Sequence, residues 1–314
     1  MPRRRRHVLG QRDDRDGRSA ALNQSESMPI DYQKLKHWPF EDLVHAYTAK
    51  DCMLYALGLG VGADPLDLQQ LRFVYEKDLQ VLPTMAVVLA SPGFWLQQPG
   101  TGVNWKAVLH GEQGLTIHRP LRASGTLIGK MAIDEIVDKG PDKGALIYSR
   151  RELYDQQSGE LMCSLSSTSF CRGEGGFGGP SGPTRAPHEL PSRAPDVSCD
   201  LRTLPQAALI YRLSGDYNPL HADPSVAGSV GFKQPILHGL CTYGVAGHAI
   251  LKTLCGYDST RLRRLDVRFS APVYPGETIR TEIWNEGAGR ASFRARVVER
   301  DVMVLNNGVV EYAG

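Results

Sequence analysis

A chain of 314 residues has the length of about two domains and ample material for a core. Its formal net charge of +2 is too close to neutral to specify a charged partner, and no apolar stretch reaches the roughly 20 residues of a membrane-spanning helix. Six cysteines, at 52, 163, 171, 199, 241 and 255, form no Cys-x-x-Cys pair and have no histidine at zinc spacing, so they read as reduced thiols and no metal site is expected.

Residues 1–27 interleave Arg3 to Arg6, Arg12, Arg15 and Arg18 with Asp13, Asp14, Asp16 and Glu26 and are poor in apolar residues, which predicts a disordered extension. The acids argue against a transit peptide and against a nucleic-acid arm, and no apolar h-region marks a secretory signal. The C-terminal Glu311-Tyr-Ala-Gly314 is not a Ser-Lys-Leu address. A cytoplasmic location is the resulting expectation.

From 28 to 172 the strand-like alternation at 125–133, 145–154 and 161–170 predicts a β-rich unit, with an apolar run following Pro83. Residues 173–195 are dense in Gly and Pro and predict a surface linker. The second unit, 196–314, begins with a shaped loop, Tyr211-Arg-Leu-Ser-Gly-Asp-Tyr-Asn-Pro-Leu-His221. Gly215 and Pro219 punctuate it, and Asp216, Asn218 and His221 fall within six residues, a set suited to acid–base chemistry. Pro235 then marks the start of an apolar helix whose Gly239, Gly244, Ala246 and Gly247 permit close approach of backbone or ligand. A helix start carries unpaired N–H groups, which makes Gly239 N–H a candidate oxyanion donor. Alternating strands follow at 265–270, 278–284, 291–298 and 302–305, with Asn306-Asn-Gly308 as a hairpin signal before 309–312.

The two units look duplicated. Pro83 and Pro235 are 152 residues apart, as are Pro120 and Pro272 (235 − 83 and 272 − 120). At the same offset Asp64 falls on Asp216 but Gln69 falls on His221, so only the second copy is expected to do chemistry.

The loop at 211–221, the helix entry at 231–240 and Val267-Arg-Phe-Ser-Ala-Pro-Val-Tyr-Pro-Gly-Glu277 resemble the R-specific enoyl-CoA hydratases, also called hydratase 2 or MaoC-like dehydratases. Segments 47–58, 71–76, 109–113 and 149–155 look like the non-catalytic half of the two-hot-dog hydratases of multifunctional peroxisomal enzymes, so the resemblance covers about 28 to 314. It implies an α+β double hot-dog, two antiparallel sheets each wrapped around a long central helix. It also implies reversible hydration of trans-2-enoyl-CoA to the (3R)-3-hydroxyacyl-CoA without metal or organic cofactor. Asp216 and His221 would activate water, Asn218 would orient it, and Gly239 N–H would hold the enolate oxygen. His110, Gly111 and Lys139 match acyl-CoA contacts; Phe269 would wall the pantetheine channel, and Tyr217, Pro219 and Leu220 would line the site. The degenerate first copy is expected to leave room for a long acyl tail. A homodimer is the family expectation, although two fused units already pair within one chain. A carrier-protein dehydratase, a hot-dog thioesterase and a non-catalytic acyl-CoA-binding protein remain alternatives.

Overall fold

Ten strands are laid down in two runs of five in the computed structural model, which describes residues 30–314; the extension expected to be disordered, 1–27, lies outside the described residues. The first run is β1 (Leu43–Tyr47), β2 (Val108–Ile117), β3 (Gly125–Asp138), β4 (Ala145–Asp155) and β5 (Leu161–Cys171). The second is β6 (Val197–Arg202), β7 (Leu262–Phe269), β8 (Thr278–Gly287), β9 (Arg290–Val297) and β10 (Val302–Tyr312). Period-two patterning decides which face is inside: on β9, Ala291, Phe293, Ala295 and Val297 are fully buried, while Arg290, Arg294 and Arg296 face outward.

All pairings are antiparallel, and the order across the sheet is β1-β3-β4-β5-β2-β7-β10-β9-β8-β6. From either edge inward, each run goes first, third, fourth, fifth, second. The runs meet at a β2–β7 seam in which Gly114 pairs directly with Asp266. Their separation, 266 − 114, is again 152 residues. Duplicated positions that face each other mark a pseudo-twofold axis, so the register and the proline spacing report the same duplication.

The double hot-dog is present, with the two half-sheets fused into one ten-stranded sheet. Its two copies differ in their central helix. In the second unit Gly239–Leu254 is helical for 16 residues, and 241–251 are continuously buried. In the first unit the run after Pro83 makes only a 3-10 helix, Pro83–Val87, with every residue buried. Ser91-Pro-Gly93 follows too soon for a longer helix, because proline and glycine break it. The first unit adds a separate helix, Ala49–Gly58.

The small residues of the long helix admit the first unit. A Cβ on Gly244 would lie 2.7 Å from Leu59 Cδ2, and one on Gly247 would lie 2.5 Å from Thr84 Cγ2. These contacts close one core shared by both units.

Between β5 and β6 the chain forms neither helix nor strand, yet it is held to the sheet. Burial alone would raise the pKa of Asp138, but backbone N–H groups of Gly176, Gly140 and Gly178 more than offset it and the pKa is lowered. Farther on, Arg185 stacks over Tyr148 at 4.7 Å, His188 Nε2 meets Ser292 Oγ at 2.7 Å, and Asn307 Nδ2 donates to His188 O at 2.8 Å.

Two local expectations are corrected. Asn306-Asn-Gly308 is not a hairpin: β10 runs through it, and Asn307 takes a positive φ of 55° in a bulge. A single left-handed residue absorbs an extra position without reversing the strand. Nor does the long helix begin at Pro235. Residues 235–238 are extended, with Leu237 N–H bonded to Val273 O at 2.8 Å, and Gly239 is the first helical residue.

Gly247→Val places methyl groups on Thr84. We expect it to lower the free energy of unfolding in urea by about 1–3 kcal/mol, whereas Gly228→Ala, where an added Cβ meets nothing within 4 Å, leaves it nearly unchanged.

Candidate active site

The loop after Tyr211 folds through side chains that bond to its own backbone. Asp216 Oδ1 accepts from Asn218 N–H at 3.2 Å, and Asn218 Oδ1 accepts from Leu220 N–H at 3.0 Å. The second bond caps the short 3-10 helix Pro219–His221. Asn218, expected to orient a reacting group, therefore spends its carbonyl oxygen on the turn that presents His221.

His221 is pinned from the other side. Its Nδ1 lies 2.9 Å from Ile236 O, on the extended segment before the long helix. A carbonyl oxygen only accepts, so Nδ1 carries the proton and Nε2 is left as a lone-pair acceptor. His238 adopts the opposite tautomer, because its Nε2 donates to the backbone carbonyl of Asp216 at 3.1 Å. The two rings stack with centroids 3.7 Å apart and 27° between their planes. Asp216, His221 and His238 thereby form a cluster whose chemistry-bearing atoms lie within 4.8 Å of one another. That spacing also suits a cation, but lone pairs of near-parallel stacked rings do not converge on one ion unless a ring turns.

Both imidazoles are poor at holding a second proton. Burial lowers the pKa of His221, against the opposing pull of the Ile236 carbonyl and the Asp216 charge. Burial, and then the neighbouring His221, take His238 down to about 4, with Asp216 opposing. Each is neutral at neutral pH, which keeps His221 Nε2 available as a base.

His238 takes no part in the chemistry expected from the sequence, where a histidine beside an apolar helix is ordinarily structural. The structure makes it the N-cap instead, immediately before Gly239. Its position just before the proposed oxyanion donor was the available signal. Tyr211 was also missed: it is buried, its ring is 5.0 Å from His238, and its hydroxyl lies near that of Tyr55 without hydrogen-bond geometry to any of the described residues.

The seam brings first-unit residues to this cluster. Gly239, with its N–H in the first turn of the helix, would carry a Cβ only 3.3 Å from Phe269 Cε1 on β7. Phe269 in turn packs against His110 of β2 at 4.7 Å between ring centroids. His110 is exposed, yet desolvation by the surrounding protein lowers its pKa while the Glu112 backbone and then Asp216 pull the other way. Gly111 sits at the β2 bulge, where a Cβ would meet Thr168 O at 3.2 Å. Leu220 is half-buried, whereas Tyr217 and Pro219 are exposed, Tyr217 lying beneath Arg212 at 4.8 Å. Lys139 is not brought to the cluster: it is exposed after β3, with β4 and β5 between it and β2, a span of roughly 14 Å in strand spacings. The interior of the first unit is filled by the buried Pro83–Val87 segment beside a void of about 10 Å³, so a long tail there requires that segment to move.

Comparison with known proteins follows the same two units. Residues 45–173 match the model of the MFE-2 hydratase 2 N-terminal domain, and residues 187–307 match that of the MaoC like domain. The 3-hydroxyacyl-thioester dehydratase Y of Mycobacterium tuberculosis is 43% identical, covering 87% of this chain and 95% of that protein. The enoyl-CoA hydratase 2, peroxisomal, of Arabidopsis thaliana is 41% identical over 86% of this chain and 91% of its own. The crystal structure of a MaoC-like dehydratase from Phytophthora capsici superposes with a TM-score of 0.78 at 39% identity, covering 90% of this chain and 98% of that one. These findings overturn the cytoplasmic expectation. The Arabidopsis relative and the mouse and Drosophila multifunctional enzymes are peroxisomal by name and point to that compartment, against an inference that rested only on missing signals.

Because both folded pKa values are depressed, the neutral rings favour the fold above the unfolded histidine value near 6.5. That contribution is lost as pH falls from there through about 4, where His238 protonates. Imidazole ¹⁵N spectra at pH 7 are expected to show His221 protonated on Nδ1 and His238 on Nε2, both titrating below 6.5; a charged His238 at pH 6 would contradict this reading.

Proposed function

This chain belongs to the MaoC-like dehydratase family, and on that premise we propose that it converts trans-2-enoyl-CoA reversibly to (3R)-3-hydroxyacyl-CoA. A reaction of the hydratase/dehydratase type goes with the family. The CoA thioester, the 3R product and the residue roles below are the proposal. The observation that carries it is the convergence of the Asp216 carboxylate, a neutral His221 with its Nε2 free, and the helix start at Gly239.

Conjugation makes C3 of the enoyl thioester electrophilic, and attack there drives charge onto the thioester oxygen. A water held between Asp216 and His221 Nε2 loses a proton to that pair as its oxygen bonds to C3. The Ile236 carbonyl fixes the ring, and Asp216 stabilises the imidazolium that forms. Gly239 N–H, with no intrahelical partner in the first turn, receives the developing enolate oxygen. The proton then returns to C2 on the same face, so H and OH add across the double bond and both bases are regenerated. Dehydration runs the same steps backwards.

In this scheme residues 196–314 perform catalysis and 28–172 hold the acyl-CoA through His110 and Gly111, with Phe269 of the second unit facing them across the seam. Lys139 meets a CoA phosphate at the far end of the ligand, with 173–195 as linker. Pairing into a homodimer is part of the same proposal. The name of the mycobacterial relative says only thioester, which leaves a carrier-protein substrate to be separated by assay.

Loss of conjugated enoyl-thioester absorbance is expected on trans-2-enoyl-CoA, with a 3R product on chiral analysis and no thiol release. Asp216→Asn and His221→Gln should each lower kcat by about 10²- to 10⁴-fold. The kcat/KM of the wild type should fall on the acid side with an apparent pKa below the usual histidine value. Hydration of the carrier-protein thioester alone would replace the CoA reading, and thiol release would replace hydration.

A further inference from the structure

A cavity of about 320 Å³ lies not at the catalytic cluster but on the other face of the sheet, at the β2–β7 seam. Leu115 and Leu265 turn into the core, and the alternate positions Glu112, Gly114, Arg264, Asp266 and Arg268 floor the cavity. The linker crosses above it through Arg185 and His188, and Arg290 closes one side.

Four arginines thus meet two carboxylates. Both acids are already engaged. Glu112 accepts from Thr168 Oγ1 at 2.6 Å and from Arg268 Nε at 2.5 Å, and Asp266 accepts from Arg264 Nε at 2.7 Å. The arginines are not all spent. Arg268 and Arg290 each engage an acid through Nε alone, Arg290 with Glu286 at 3.1 Å. Their terminal nitrogens have no acceptor among the described residues. Arg185 reaches only as far as 3.5 Å from Asp134. What this cavity offers unsatisfied is planar guanidinium donors, the groups that bind tetrahedral and bidentate oxyanions. Among the described residues no Phe, Tyr or Trp lines it, and its one imidazole, His188, is tied to Ser292 Oγ, so a nucleobase finds no large ring to stack on.

We propose that this cavity is a binding site for a compact multivalent oxyanion of the diphosphate class, held by Arg268, Arg290 and Arg185 beneath the linker. The site is independent of the proposed reaction, since the sheet separates it from Asp216.

Isothermal titration of the full chain at low salt, with inorganic pyrophosphate and separately with ADP, tests it. Saturable binding at one site per chain is expected, weakening as ionic strength rises. ADP should bind no tighter than pyrophosphate; tighter ADP binding would show that a base is read and would overturn the compact-anion assignment. The Arg268→Gln, Arg290→Gln double variant should weaken pyrophosphate at least about tenfold. Arg290→Gln alone, whose side chain lies outside the seam, should do so partially and guards against misfolding of the double variant. Absence of saturable binding to the wild type, or undiminished binding to both variants, would sink the proposal.

Discussion

The antiparallel pairing of β2 with β7 is the constraint on which the rest depends. It joins two half-sheets whose inner edges would otherwise present open rows of N–H and C=O groups, a surface prone to misassembly. It also sets a register in which Glu112 opposes Arg268. Just beyond this pair, one residue past Arg268 and two before Glu112, lies a wall in which Phe269 of one unit packs on His110 of the other and against Gly239. A slip of one residue in this ladder would turn Phe269 to the outer face and dismantle that wall. The candidate site belongs to the seam as much as to the loop that carries Asp216 and His221.

Around this axis the two copies have diverged unequally. The second kept a 16-residue helix whose first turn is free to receive charge. The first has a 3-10 helix in its place, and Asp64, the counterpart of Asp216, is now a turn former that accepts from Leu66 N–H at 2.9 Å. Gln69, at the position of His221, is exposed. The first copy supplies walls and packing, and the glycines of the surviving helix are shaped to its contours rather than to a ligand.

Much of this was legible in the sequence because it rests on short-range rules. Alternation located seven of the ten strands at least in part and not β1, β2 or β6, proline spacing disclosed the duplication, and the Asp-x-Asn-Pro-x-His run announced a shaped loop. Edge strands β1 and β6 carried too little alternating apolar character to be read. The bulge at Asn307 was mistaken for a turn because the same left-handed residue serves both, and only pairing with β7 and β9 on either side distinguishes them. His238 was missed for a related reason. Its importance lies in stacking on a residue 17 positions earlier (238 − 221), a tertiary fact that helical periodicity cannot express. Compartment was misjudged because missing signals are weak evidence.

The seam also orders events in time. Within each run, neighbours such as β3–β4 and β8–β9 close over short connections, but β2 and β7 are brought together only across some 150 residues. Loop-closure entropy makes such a contact slow, and it becomes favourable only once both half-sheets exist to zip together. The wall formed by His110, Phe269 and Gly239 is therefore expected to assemble late in folding. Half-sheets can close early on a growing chain, but competence waits for the second to be complete, so recovery of activity during refolding is a clock for the joining of the two halves.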